Sequence, residues 1–317
     1  MSLLAIDLGG TKLATAVFTP AGTIVYKETI PLNKKHGYEV GALIAQQIQK
    51  ALQQQSVDSI GISVPGISNS LTNKVWAPNI AGWDDYPLLE EVQQICGDIA
   101  VIIESDRACY ILGEVWQGAA KGCKDAIYLS VGTGIGAGIL VNGKVLHGAS
   151  GIAGAVGWMA LIPPYKNEYI SCGCFEHYAS GEGIVKVAKK WLHDDKQYTS
   201  ELRHIENVTA RDIFAAYEKN DLIATKLIQH CIELWGMAIA NLVSIFNPEK
   251  IILGGGVFGP ATAFIEAIKT EAARWAQPVS MKQMSLEASA LGGDAGIYGA
   301  AFLALQNSNT LNHMPYV

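Results

Sequence analysis

A strand, a glycine turn and a second strand open this chain, and the same opening returns before its midpoint. Leu3 to Asp7 is apolar up to its last residue and runs into Gly9-Gly10. Leu13 to Phe18 follows, and Thr19-Pro20-Ala21-Gly22 turns the chain into a third run, Thr23 to Ile30. Later, Ile127 to Val131 meets Gly132-Thr133-Gly134, Ile135 to Val141 follows, and Asn142-Gly143 leads to Lys144–Leu146. Aligned, Asp7 stands opposite Ser130, Gly9 opposite Gly132 and, after a short contraction, Gly22 opposite Gly143. Two copies of one unit, facing each other, make a cleft. Two ordinary hairpins that share glycines read the same way, and the repeat alone leaves both possibilities open.

Between and after these openings the periodicity alternates. Residues 39–54 carry Val40, Leu43, Ile44, Ile48, Ala51 and Leu52 at helical spacing. A strand follows at 58–64, a helix at 86–95, a strand at 100–104 and a helix at 107–116. In the second half, helices are expected at 182–192, 209–217, 222–246 and 261–274, strands at 250–253 and 282–287, and a helix from 294.

Composition narrows the function. The 317 residues are 50% hydrophobic and 16% charged, which is no signature of disorder. A net charge of −6 disfavours binding to nucleic acid or to an anionic membrane. No apolar run is read as approaching the length of a membrane span, and an acid at position 7 argues against a secretory leader. Six scattered cysteines (96, 109, 123, 172, 174, 231) suit reduced thiols, so a cytoplasmic protein is expected.

Glycine is over-represented, at 33 residues. Bare backbone allows N–H groups to approach phosphate closely, where a Cβ would stand in the way. Three clusters could do this: Asp7-Leu8-Gly9-Gly10-Thr11-Lys12, Gly132-Thr133-Gly134 and Gly254-Gly255-Gly256. The first puts a carboxylate beside the turn, which suits Mg²⁺ on a phosphate. A tight hairpin tip explains the glycines too, but not Asp7 or Lys12. The P-loop pattern is absent, and Gly254-x-Gly256-x-x-Gly259 comes too late in the chain for a founding Rossmann unit. Val101 to Glu104 is a strand that runs into Ser105-Asp106. Asp106 could take a proton from an attacking hydroxyl, or it could simply cap the next helix.

Taken together, these residues resemble the ROK family (repressors, open reading frames and kinases). The matching segments are Asp7 to Lys12, Gly61-Ile-Ser-Val-Pro-Gly66, Ala77-Pro-Asn-Ile80 with Trp83, Asp106 with Gly113-Glu114, and Ser130 to Gly138. Further on come Gly173-Cys-Phe-Glu176, Ala179-Ser-Gly181, Asn247-Pro248, Ile252 to Gly256, and Leu291-Gly-Gly-Asp-Ala-Gly296. The resemblance implies an α/β, two-lobed actin/hexokinase-like ATPase fold built from duplicated RNase H-like units. Residues 1–118 would form the first lobe, completed by a helix at 299–317, and 119–298 the second. It also implies a sugar kinase using ATP and Mg²⁺, working as a homodimer. Asp7 would act near Mg²⁺. Gly9, Gly10, Thr11, Lys12, Gly132, Thr133 and Gly134 would hold phosphates, with Gly254, Gly255 and Gly256 by the adenosine. Asp106 would be the general base, and Gly66, Asn79, Ser105, Glu176 and Trp158 would lie in or beside the sugar pocket.

The chain departs from the family at three places. Gly154-Ala155-Val156-Gly157-Trp158 stands where the family reads Gly-Glu-x-Gly-His. Ser171-Cys172-Gly173-Cys174 shortens the family's zinc motif, leaving Cys172, Cys174 and His177 as candidate ligands. That is too few for tetrahedral zinc, so none is expected. Ser105 replaces an Asn before the catalytic Asp. Trp158 would either stack on a sugar or fill the space of the lost metal. A sugar-responsive repressor is disfavoured, because only six residues precede Asp7 and the chain is acidic. A degenerate, non-catalytic sugar binder is the remaining alternative.

Overall fold

In the computed structural model the described residues are 1–69, 72–194, 197 and 199–308. The chain divides into two compact units. The first holds Met1–Lys124, Gly138–Gly154 and the described residues from Ser289 onward; the second holds Asp125–Ala137 and Ala155–Ala288. The elements of the first half are β1 (Leu3–Leu8), β2 (Lys12–Phe18), β3 (Ile24–Pro31), α1 (Tyr38–Gln54), β4 (Ser59–Val64), the small hairpin β5 (Ile67–Asn69) and β6 (Lys74–Trp76), α2 (Leu88–Cys96), β7 (Ala100–Ser105) and α3 (Asp106–Gln117). Then come β8 (Ala126–Val131), β9 (Ile135–Val141), β10 (Lys144–Val145), α4 (Cys174–Ala179), α5 (Gly181–Asp194), α6 (Ala210–Glu218), α7 (Leu222–Phe246), β11 (Lys250–Gly254), α8 (Ile265–Trp275), α9 (Pro278–Gln283), β12 (Ser285–Ala288) and α10 (Ala295–Asn307).

The repeat is a repeat of topology. One sheet runs β3-β2-β1-β4-β7 and the other β10-β9-β8-β11-β12, the same order of first to fifth strand in each. Each opens with antiparallel strands and continues in parallel. Asp7 and Ser130 both occupy the penultimate position of a first strand. Gly22 and Gly143, aligned from the sequence, both carry positive φ, at 86° and 75°. The ladder of β1 with β4 sets Asp7 beside Ser63, and the ladder of β8 with β11 sets Ser130 beside Gly254.

Both faces of the first sheet are covered, as parallel strands require. Leu4, Ile6 and Leu8 of β1 pack on one side with Val40, Ile44 and Ile48 of α1. Leu3 and Ala5 pack on the other with Ile297, Ala300 and Ala304 of α10. Alternation along β1 therefore sends Asp7 to the α10 side. There α10 lies very close: a Cβ on Gly61 would fall 1.9 Å from the Ala300 carbonyl oxygen, and one on Gly299 the same distance from that of Cys109 in α3.

Several elements differ from expectation. The stretch 282–287 is not all strand, because Pro278 starts a helix that Gln277 caps, and β12 begins only at Ser285. Helix α4 and the hairpin β5–β6 were not anticipated. The C-terminal helix ends at Asn307; the rest of the expected 299–317 lies outside the described residues from 309 on. Contrary to the reading that no run approaches a membrane span, α7 is long and apolar enough for one, at hydropathy 1.2 over its most apolar window. Its buried residues include Leu227, Ile228, Leu234, Trp235 and Leu242, so its hydrophobicity is spent inside the second unit.

Candidate active site

In the first unit, two carboxylates stand at the carboxyl ends of parallel strands. Asp7 accepts a hydrogen bond from the Ser63 hydroxyl, Oγ to Oδ1 at 2.7 Å. Burial raises the Asp7 pKa, the Ser63 bond and the Lys12 charge pull it back, and Asp294 pushes it up. Helix α10 begins beside it, and a Cβ on Gly296 would fall 2.6 Å from the carboxylate. Asp294 itself pairs with Lys27 at 2.6 Å. The turn after Asp7 is closed by Gly9 N–H donating to the Lys12 carbonyl at 2.9 Å.

Asp106 is the first residue of α3, but it does not cap that helix. Ser105 does: its φ of −63° and ψ of 147° are extended, and its Oγ accepts from Ala108 N–H at 3.3 Å. Asp106 is therefore not the N-cap of α3, and its carboxylate is released from that role. Its Oδ1 accepts the Arg107 N–H at 2.8 Å, and the Tyr110 hydroxyl lies 3.4 Å from Oδ2. Burial raises its pKa to about 6, against the opposing charge of Arg107 and with some help from Asp7. A carboxyl poised there is ionised at neutral pH and retains appreciable basicity.

The remaining expected residues of this unit fare differently. A Cβ on Gly66 would fall 1.9 Å from the Trp76 carbonyl oxygen, so packing of the β5–β6 hairpin already requires glycine there. Asn79 is exposed, on a turn anchored by the buried Trp83, whose backbone both donates to Ile80 and accepts from Ala77.

In the second unit, Gly132 N–H donates to the Gly134 carbonyl at 2.9 Å, and Gly181 N–H donates to Gly132 at 2.7 Å, tying the turn to the start of α5. Thr133 is exposed. Glu176 Oε2 accepts the Ile135 N–H at 2.6 Å, and burial raises the Glu176 pKa. Gly255 has φ of +88°, and Gly254 is pressed against the Tyr128 hydroxyl. Trp158 is 58% exposed, so the expectation that it fills the space of a lost metal is not met. Nearby, Cys174 Sγ donates to the Ile162 carbonyl and His177 pairs with Glu168 at 3.2 Å. Among the described residues no three or more His, Cys, Asp or Glu side chains gather as a metal site.

Space around the turns bears on what they could hold. A Cβ on Gly10 or on Gly256 would meet nothing within 4 Å, and neither residue has positive φ. The fold itself does not demand glycine at either place. The open space and bare backbone leave room for close approach of a phosphate or nucleotide, so the turns fit such a ligand. Sequence reasoning missed Ser63 and Tyr110. Ser63 left a faint signal, a hydroxyl in an otherwise apolar strand end; Tyr110 signalled only by its place one turn after Asp106.

Two sheets of identical strand order, each with a glycine turn after its first strand, define the actin/hexokinase-like ATPase fold. The ROK family model matches residues 3–307, and the chain belongs to the ROK family. It is 34% identical to a glucokinase of Halalkalibacterium halodurans, over 96% of each chain. It is 30% identical to the xylose repressor of Caldicellulosiruptor bescii, over 96% of this chain and 78% of that one. Among solved structures it resembles a ROK family glucokinase from Streptomyces griseus in complex with glucose and AMPPNP, with TM-score 0.78 and 28% identity over 96% of this chain and 100% of that chain.

Proposed function

We propose that the protein transfers the terminal phosphoryl group of ATP to a hydroxyl of a hexose or N-acylhexosamine. The observation that carries this reading is Asp106: a desolvated carboxylate, relieved of capping by Ser105 and poised near pH 6. Asp106 accepts the proton of the sugar hydroxyl as that oxygen forms its bond to the γ-phosphorus, the bond to the bridging oxygen breaks, and ADP leaves. Phosphoryl transfer asks little else of a protein than position and charge. Gly9, Gly10, Thr11 and Lys12, with Gly132, Thr133 and Gly134, serve the phosphates. Gly254, Gly255 and Gly256 serve the adenosine. Bound Mg²⁺ would neutralise charge developing on the phosphate oxygens, and Asp7, steadied by Ser63, is the residue beside which it would sit. Gly66, Asn79, Ser105, Glu176 and Trp158 are assigned to the sugar side. The Halalkalibacterium and Streptomyces glucokinases support the donor and the substrate class. Work as a homodimer in the cytoplasm belongs to the same proposal.

A second reading, a sugar-binding regulator without transfer, is favoured by the likeness to the xylose repressor. Incubation with Mg²⁺–ATP over a panel of hexoses and N-acylhexosamines separates the two. The kinase reading expects ADP and a sugar phosphate in equal amounts with at least one sugar. Binding of a sugar without ADP release would favour the regulator.

A further inference from the structure

The two residues that bracket Ser105-Asp106 grip one loop. Glu104 Oε2 lies 2.6 Å from His147 Nε2, while Glu104 Oε1 accepts the Ser105 N–H at 2.6 Å. On the other side, Arg107 Nη1 reaches the carbonyls of Ile152 at 3.5 Å and Ala153 at 3.4 Å. The loop is closed on itself, with Ala153 N–H donating to the His147 carbonyl at 3.1 Å. Gly148 and Gly151, at φ of 72° and 75°, allow it to turn so tightly. All these residues belong to the first unit.

We propose that residues 147–153 are a positioning element for the Asp106 carboxylate, with His147 as its positioning residue. The inference rests on the kinase reading for its consequence but not for its geometry. The link to Asp106 is Arg107: its guanidinium is held on the loop, while its backbone N–H seats Asp106 Oδ1 at 2.8 Å. Fixing the loop fixes that N–H and the carboxylate seated on it, and Oδ2, with the Tyr110 hydroxyl at 3.4 Å, is the oxygen assigned to the sugar proton. His147 holds the other end, and the Glu104 carboxylate raises its pKa, favouring the charged imidazolium that binds it best. The other groups around Asp106 are Asp7 and Tyr110, which the loop does not carry.

The test compares wild type with His147→Ala and with His147→Gln, whose amide can still donate to Glu104. Amide hydrogen exchange of Arg107, resolved by NMR on the unliganded protein, reports directly whether the carboxylate is seated. The expected result is exchange faster by about fivefold in His147→Ala, the scale of one partly exposed ion pair, with recovery in His147→Gln. In turnover, kcat should fall by about tenfold in His147→Ala with KM for ATP unchanged, and return in His147→Gln. Unaltered exchange at Arg107 in His147→Ala would overturn the positioning role even if the wild type proves an active kinase. Faster exchange in His147→Ala, alongside a wild type that phosphorylates no sugar, would instead retain the loop's role and refute the kinase reading.

Discussion

Replacing Asp106 by Asn should destroy turnover and yet stabilise the fold. A carboxyl held at about 6 rather than 3.8 is one the folded state prefers protonated. Its stabilising share is therefore present at low pH and is lost as pH rises from 3.8 through 6. By pH 7.5 keeping the charge costs about 3 kcal/mol, and at pH 5 about half of that. Asn keeps the shape and can still accept the Arg107 N–H, but its own amide is desolvated, so a net gain of about 2 kcal/mol is expected at pH 7.5. That corresponds to a rise in melting temperature of about 3–6 °C at pH 7.5, shrinking to about half at pH 5. Thermal unfolding followed by circular dichroism at the two pH values measures it. An Asn variant that melts lower than wild type, or whose gain is the same at both pH values, would refute the desolvation argument.

Further outcomes test other parts of the site. Gly10→Ala and Gly256→Ala have open space for the new methyl, so each should leave the melting temperature within about 2 °C while weakening ATP binding by about tenfold or more, read by calorimetry. Gly299→Ala, whose Cβ would strike the Cys109 carbonyl, should instead destabilise by several kcal/mol, of the order of severe overpacking, and yield little folded protein. For the wild type, kcat/KM should fall tenfold per pH unit below about 6, as the base becomes protonated, and plateau above it. Metal analysis should find no stoichiometric zinc, and a chelator should leave melting unchanged; one zinc per chain would reveal ligands the Cys172, Cys174 and His177 set lacks.

Much of this architecture is written locally. Apolar runs that meet Asp7 before a glycine turn, and Glu104-Ser105-Asp106 before a helix, gave away the strand ends, because buried parallel strands read as near-continuous apolar runs. The repeated strand, glycine turn and strand pointed to a duplicated unit without excluding two ordinary hairpins, and the shared sheet order decides for the duplication. What could not be read depends on contacts across the chain. Ser105 and Asp106 are both good capping residues, and only the extended backbone at Ser105 decides between them. At Gly66 the Trp76 carbonyl supplies a packing reason for glycine that the local sequence does not show. Trp158 reads either as a stacking face for a sugar or as filler, and its exposure argues against the second. The grip of Glu104 on His147 leaves no local trace at all, since neither residue is unusual in its own neighbourhood.

The central claim is that Asp106 is the base of a sugar kinase. It is tested most directly by measuring ADP formation and nucleotide binding together, in wild type and Asp106→Asn, with the best sugar of the panel. The account predicts that turnover drops by about 10²–10⁴ while the affinity for Mg²⁺–ATP stays within about twofold. An Asn variant that keeps more than about a tenth of wild-type turnover would contradict it.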